Sequence, residues 1–157
     1  MATGGRQAPM RPFGESLPMA LLRAREAAMR QFRPMLAGHD LTEQQWRVLR
    51  ALAADEPADA GHIADRTFLL APSLSRILAH LSDRGLIERR TDAGDQRRSI
   101  VALTPAGWRH VAAVAPESEA IYARIEAAFG QARLRALLGE LEALAAVDLG
   151  EVVAGGR

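Results

Sequence analysis

The pattern that most constrains this chain is a change of hydrophobic period in mid-sequence. From Ser73 to Arg84 the apolar residues Leu74, Ile77, Leu78 and Leu81 recur at i, i+3, i+4 and i+7, which predicts a helix with one inward face. Gly85 closes that run as a glycine able to take the left-handed conformation after a helix end. The period then falls to two. Leu86–Thr91 and Ser99–Leu103 flank the turn-forming Asp92-Ala93-Gly94-Asp95, the signature of a hairpin. A two-stranded hairpin is marginal in water, so this one is expected to lean on the helices beside it. Upstream, Ile63 and Ala64 mark a short helix with Phe68 beyond it, and a break at Leu70–Pro72 separates the two helices. Short helix, tight turn, second helix and small hairpin together make a winged helix-turn-helix.

The flanks are helical. Residues 1–14 show no period and are expected to be a disordered arm. Ser16 reads as an N-cap with Pro18 in the first turn. From Leu17 to Leu36 two apolar stripes run along one helix, one through positions 17, 21, 24, 28, 32 and 35, the other through 18, 22, 29, 32 and 36. Such a helix is expected to be buried on more than one side. His39 reads as solvated. Thr42 and Gln45 have capping-box spacing ahead of Trp46, Leu49 and Leu52, and Asp55–Asp59 with Pro57 reads as a turn. Thr104-Pro105 opens a long helix through Val111, Val114, Ile121, Ile125 and Phe129, which Pro116 is expected to kink or split. Gly130 precedes a last helix with a stripe of Leu134, Leu137, Leu138, Leu141 and Leu144.

The fold class is therefore mainly α with a small β-hairpin wing. Residues 41–104 are read as the winged helix-turn-helix DNA-binding domain, 15–40 and 105–149 as a helical dimerisation region, and 150–157 as a frayed tail. The outer helices are too apolar to stand alone and are expected to bury each other across the two-fold axis of a homodimer.

Composition narrows the function classes. The 157 residues include no cysteine, which excludes a disulfide framework, a thiolate metal site and a cysteine nucleophile. Apolar runs are too short for a membrane helix, and none follows Arg6 and Arg11 as a signal peptide would require, so the chain is expected in the cytoplasm. Net charge is only +1, but its distribution is uneven. His62–His110 holds eight arginines against five acids, whereas Val111–Arg157 holds four against seven. Basic charge thus gathers in the segment expected to meet phosphate. No phosphate-cradling glycine loop, metal-ligand spacing or nucleophile–base pair is visible, so no enzyme activity, metal or cofactor is expected.

With Leu74, Ile77, Leu78 and Leu81 inward, the opposite face of that helix carries Ser73, Arg76 and His80, with Ser75 on the flank. Small hydroxyls at a helix N-terminus can reach phosphates or base edges, and an arginine one turn on can offer a bidentate fork to guanine or phosphate. The alternative is a solvated helix face that happens to hold an arginine. Beside the hairpin turn stand Asp95, Gln96, Arg97 and Arg98. An arginine at a wing tip can enter a narrow minor groove, and Asp95 is placed to hold its guanidinium extended. A solvated turn pair is the competing reading.

Here the chain resembles a known family. Leu41-Thr42-Glu43-Gln44-Gln45-Trp46-Arg47-Val48-Leu49 is similar to the second helix of MarR-type regulators. Ser73-Leu74-Ser75-Arg76-Ile77-Leu78, Leu81, Gly85-Leu86-Ile87 and Arg89 resemble their recognition helix and first wing strand. Asp92, Asp95, Arg97, Leu103-Thr104 and Gly107 match their wing and the start of their dimer helix. Across about residues 15–149 the resemblance implies a triangular homodimer on a pseudo-palindromic operator in double-stranded DNA, with repression relieved by a small phenolic ligand. Arg97 takes the position of the wing arginine, while Ala93-Gly94 lacks the further basic residues many relatives have there. Ser16–Glu26, Phe32-Arg33-Pro34 and Ser118–Glu126 look like the branch that regulates homoprotocatechuate degradation, which implies an aromatic carboxylate as effector.

Arg25 falls on the second stripe of the first helix and is expected to face packed surface, where a guanidinium needs a carboxylate. That carboxylate is either internal, from Glu26 or Glu119, or a ligand's. Arg23 is a second candidate, and Trp46 offers either an aromatic wall or plain core packing. A different class of function also fits: a winged-helix module for protein–protein assembly, which would lack the steep salt dependence of DNA binding.

Overall fold

The computed structural model describes residues 10–55, 57–95 and 98–148. Contacts divide the chain into two compact units, one up to Ser118 and the other from Glu119 onward.

In the first unit, α1 (Leu17–Gly38) starts at Ser16, as its proline in the first turn suggests, although the serine hydroxyl makes no capping bond. Within α1 only Phe32 and Leu36 are buried, while Leu17, Leu21 and Leu22 stay exposed. The chain alone therefore covers the end of the helix and not its beginning. Part of the expected arm is ordered. Phe13–Glu15 forms a 3-10 turn, and residues 1–9 lie outside the described residues, as does the expected tail 150–157.

The capping box is complete: the Gln45 amide donates to Thr42 Oγ1 at 3.1 Å, and the Thr42 amide donates to Gln45 Oε1 at 2.9 Å. It starts α2 (Glu43–Ala54), which buries Trp46, Val48, Leu49 and Leu52. Ala58–Asp59, expected as part of a turn, is a two-residue strand, β1. Asp59 then caps α3 (Ala60–Thr67) by accepting the His62 amide at 2.8 Å. The helix α4 spans Ala71–Asp83, two residues earlier at its start than the sequence reading, because Pro72 sits in the first turn, where its missing N–H has no helical role. Leu74, Ile77, Leu78 and Leu81 are all buried. Its end is a Schellman motif. Gly85 has φ +68°, its amide donates to Ser82 O at 2.8 Å, and the Leu86 amide donates to Leu81 O at 3.0 Å.

The hairpin pairs β2 (Ile87–Thr91) with β3 (Ser99–Leu103), Ile87 opposite Leu103 and Thr91 opposite Ser99. It leans on more than helices. β1 pairs with β3 on its other side, Ala58 opposite Val101, giving a three-stranded antiparallel sheet in the order β1-β3-β2. Two residues cannot display a period of their own, so β1 exists only through a partner some forty positions away. The long helix α5 (Pro105–Phe129) begins where Thr104 Oγ1 accepts the Gly107 amide at 3.0 Å and donates to Gly85 O at 2.6 Å. Gly107 is required by proximity: a Cβ there would lie 2.0 Å from Leu86 O. Pro116 does not split α5, which runs through it as one element. The residues flanking it are anchored by buried Val114 and Ser118, so a missing N–H is tolerated.

In the second unit, Gly130 takes φ +98° and α6 follows (Gln131–Ala145). No residue of α6 is buried, and Leu137, Leu138 and Leu144 stand exposed. Among the described residues no helix is long and apolar enough to cross a membrane.

Candidate nucleic-acid interface

Because four apolar residues of α4 turn inward, the rest of its surface is set. Ser75, Arg76 and His80 are exposed and Ser73 is half-buried. Ser73, Arg76 and His80 share a shallow hollow of about 360 Å³ with Thr42, Gln44 and Gln45 at the start of α2. The three face residues expected from the sequence are thus together, beside polar side chains of a second helix. Ser75 lies on the other flank, against a small hollow that also includes Arg89 of β2.

At the wing, the Asp92 amide donates to Arg98 O at 2.9 Å and Asp92 Oδ1 accepts the Gly94 amide at 2.8 Å, which closes the base of the turn. Gln96 and Arg97 lie outside the described residues, and so does the expected Asp95–Arg97 pair. Arg98 is braced from below. Its guanidinium donates to Asp59 Oδ2 while Asp59 Oδ1 caps α3, so one carboxylate links the wing to the start of the helix-turn-helix. The His62 amide first, and then Arg98, hold the Asp59 carboxyl below its ordinary value, and the same pair raises the Arg98 guanidinium. On β2, Arg89 and Arg90 are exposed, with Arg90 paired to Glu88.

The MarR family profile matches residues 39–98. The homoprotocatechuate degradative operon repressor of Escherichia coli is 41% identical over 128 residues, which span 82% of this chain and 86% of that repressor. The chain belongs to the MarR family. Among solved structures, NadR in complex with 4-hydroxyphenylacetate matches with a TM-score of 0.76 and 35% identity, covering 94% of this chain and 99% of NadR. The repressor CouR bound to a 23-mer DNA duplex matches with a TM-score of 0.79 and 28% identity over 88% of this chain and 99% of CouR.

The effector candidates of this MarR-family chain fall in two places. Trp46 is buried in the core of α2. Arg25 does not face packed surface in the single chain: its side chain is 42% exposed and bonds Glu26 Oε1 at 3.0 Å and Glu43 Oε1. Of the two internal partners expected, Glu26 and Glu119, it is Glu26 that bonds Arg25. Glu43, on the next helix, was not foreseen. Arg33 completes the group with two bonds of 2.8 Å to Glu26 and one of 3.3 Å to Glu43, so two arginines and two glutamates lace α1 to α2. The hydrogen bond from Arg33 is the largest influence lowering Glu26. Burial opposes ionisation of Glu43, but the hydrogen bonds and charges of Arg25 and Arg33 outweigh it and lower that carboxyl as well. Arg23 donates to Gly14 O at 3.2 Å.

His39 is not simply solvated. Its Nε2 lies 2.9 Å from Glu117 Oε1, its carbonyl bonds His110 Nε2 at 3.1 Å, and the two rings meet edge to face. Residues 39, 110 and 117 share no local pattern, so only the packing of α5 against the end of α1 could reveal this group.

Proposed function

We propose that the chain is a homodimeric, operator-binding transcriptional repressor of an aromatic-catabolism operon, released from DNA by a small aromatic carboxylate. The observation that carries the reading is its 41% identity, over most of both chains, to a homoprotocatechuate degradative operon repressor. NadR with 4-hydroxyphenylacetate and CouR on DNA supply the same two partners for proteins of the same fold.

In this reading α4 enters the major groove. Ser73 and Ser75 bond phosphates or base edges near its N-terminus, Arg76 presents its fork to guanine or phosphate, and His80 approaches the backbone. Asp95, Arg97 and Arg98 form the wing contact, with Arg98 setting its angle through Asp59. Residues 41–104 act on DNA, while 15–40 and 105–149 pair the subunits through the apolar residues that the single chain leaves uncovered. Two-fold pairing demands a pseudo-palindrome whose half-sites repeat at about one helical turn. A cytoplasmic site of action and the absence of catalysis follow from that role.

For the effector we propose that the aromatic carboxylate competes with Glu26 and Glu43 for Arg25, with Arg23 and Trp46 as the further candidates. Bound at Arg25, the acid would then wedge α1 away from α2 and shift the helix-turn-helix that α2 supports, whereas without acid Arg33 keeps its own bonds to Glu26 and Glu43. The test is an electrophoretic shift with intergenic DNA from beside the gene, repeated between 50 and 200 mM salt and then titrated with 4-hydroxyphenylacetate. Binding that falls linearly in log affinity against log salt supports the reading. Binding indifferent to salt would favour an assembly module instead. Arg25→Ala is expected to leave DNA affinity nearly intact while weakening release by the acid.

A further inference from the structure

Two large apolar residues stand apart from the uncovered helix faces. Phe68 is 92% exposed and Leu70 is 78% exposed, while Leu69 between them is buried. They occupy the tight turn between α3 and α4, whereas most other exposed leucines belong to the long apolar stripes of α1 and α6. Neither residue is the one the free chain would prefer at its position. Phe68 holds φ +54°, a left-handed conformation that glycine or asparagine adopts at lower free energy. Leu70 is the N-cap of α4 and makes no side-chain capping bond, where serine, threonine or aspartate would satisfy an open amide. Both side chains are thus held in water by a backbone that polar residues would stabilise better.

We propose that Phe68 and Leu70 form an apolar knuckle that reads the 5-methyl groups of thymines in the operator. This rests on the reading of α4 as the recognition helix. A helix-turn-helix presents the N-terminal residues of its second helix to base edges, and Leu70 leads directly into Ser73 and Arg76. The major-groove edge offers one apolar group, the thymine methyl, and a side chain without donors or acceptors gains there only by covering it. Arg76 and the serines then read polar edges, while the knuckle selects thymine at the adjoining step.

The experiment compares the full-length parent with Leu70→Ser and with the double variant Phe68→Asn/Leu70→Ser. Each is titrated against the intergenic duplex and against the same duplex made with deoxyuridine in place of thymidine. The polar replacements suit their backbone positions, so thermal midpoints should hold or rise. For the parent, affinity should fall on the uracil duplex by roughly fourfold for each enclosed methyl, the worth of one buried carbon. The double variant should lose a similar factor on the thymine duplex and be indifferent to uracil, with an unchanged salt slope because no phosphate contact is touched. Equal sensitivity of parent and variant to uracil would overturn the proposal. So would variants that bind DNA like the parent but change oligomeric state in sedimentation, since the knuckle would then belong to a chain–chain contact. If the parent shifts neither duplex, the repressor reading fails first, and this inference with it.

Discussion

Helices α4 and α6 carry similar leucine patterns and meet different fates. In α4 the stripe Leu74, Ile77, Leu78 and Leu81 is buried by its own chain. In α6 the leucines at 137, 138 and 144 remain 41–54% exposed, and no residue of the helix is buried. Period alone says that a helix wants cover on one side, not who provides it. For α4 the cover is α2, α3 and the sheet, brought near by short connections. For α6 no cover lies within its own unit, which is the physical basis for assigning it to subunit pairing.

The sharpest way to break this contrast is to make the same substitution in both stripes. Leu81→Ala should cost about 2–5 kcal/mol, with a urea midpoint that shifts equally at every protein concentration. Leu138→Ala should instead lower the midpoint most at low protein concentration and weaken self-association in sedimentation. Identical behaviour of the two variants would remove the distinction. Gly107→Ala tests the covered side at its tightest point, where a Cβ meets Leu86 O, and is expected to cost about 1–3 kcal/mol in the same denaturation. Arg76→Ala, on the exposed face of α4, should weaken operator binding by about 1–3 kcal/mol while leaving thermal stability unchanged. Stability loss without affinity loss would reassign that face. The smallest effect concerns Asp59. Its carboxyl is lowered in the folded chain, so the unfolded chain binds more protons as pH falls and the contribution is lost below the ordinary value of 3.8. Asp59→Asn should flatten the acid side of the thermal midpoint against pH, leaving that side dependent on other groups such as Glu26.

Much of this was legible in advance where neighbours in sequence are neighbours in space. The Thr42–Gln45 capping box, the Gly85 end of α4, the Thr104-Pro105 start of α5 and the inward stripe of α4 each involve residues within a few positions, and each appears as read. The exposed placement of Ser75, Arg76 and His80 follows from that stripe, since a helix with one face fixed has no freedom in the other. The misses share the opposite character. β1, the Asp59–Arg98 brace, the Glu43 partner of Arg25 and the His39–His110–Glu117 group all join residues between 18 and 78 positions apart. Pro116 is a related case: of the kink or split that local propensity allows, the split does not occur, and α5 continues between buried Val114 and Ser118.

What the sequence determined by itself is the order of the helices, the hairpin and the inward face of α4, because period, caps and turn residues act through short-range backbone geometry. It also determined family membership through motifs in order at fixed separations. Tertiary structure alone decided which charges meet, that the wing is a three-stranded sheet tied to α3 through one aspartate, and that Arg25 spends its guanidinium on two glutamates. Those outcomes depend on bringing distant segments within about 3 Å, a distance over which a hydrogen bond forms or does not, and no local pattern encodes such a meeting.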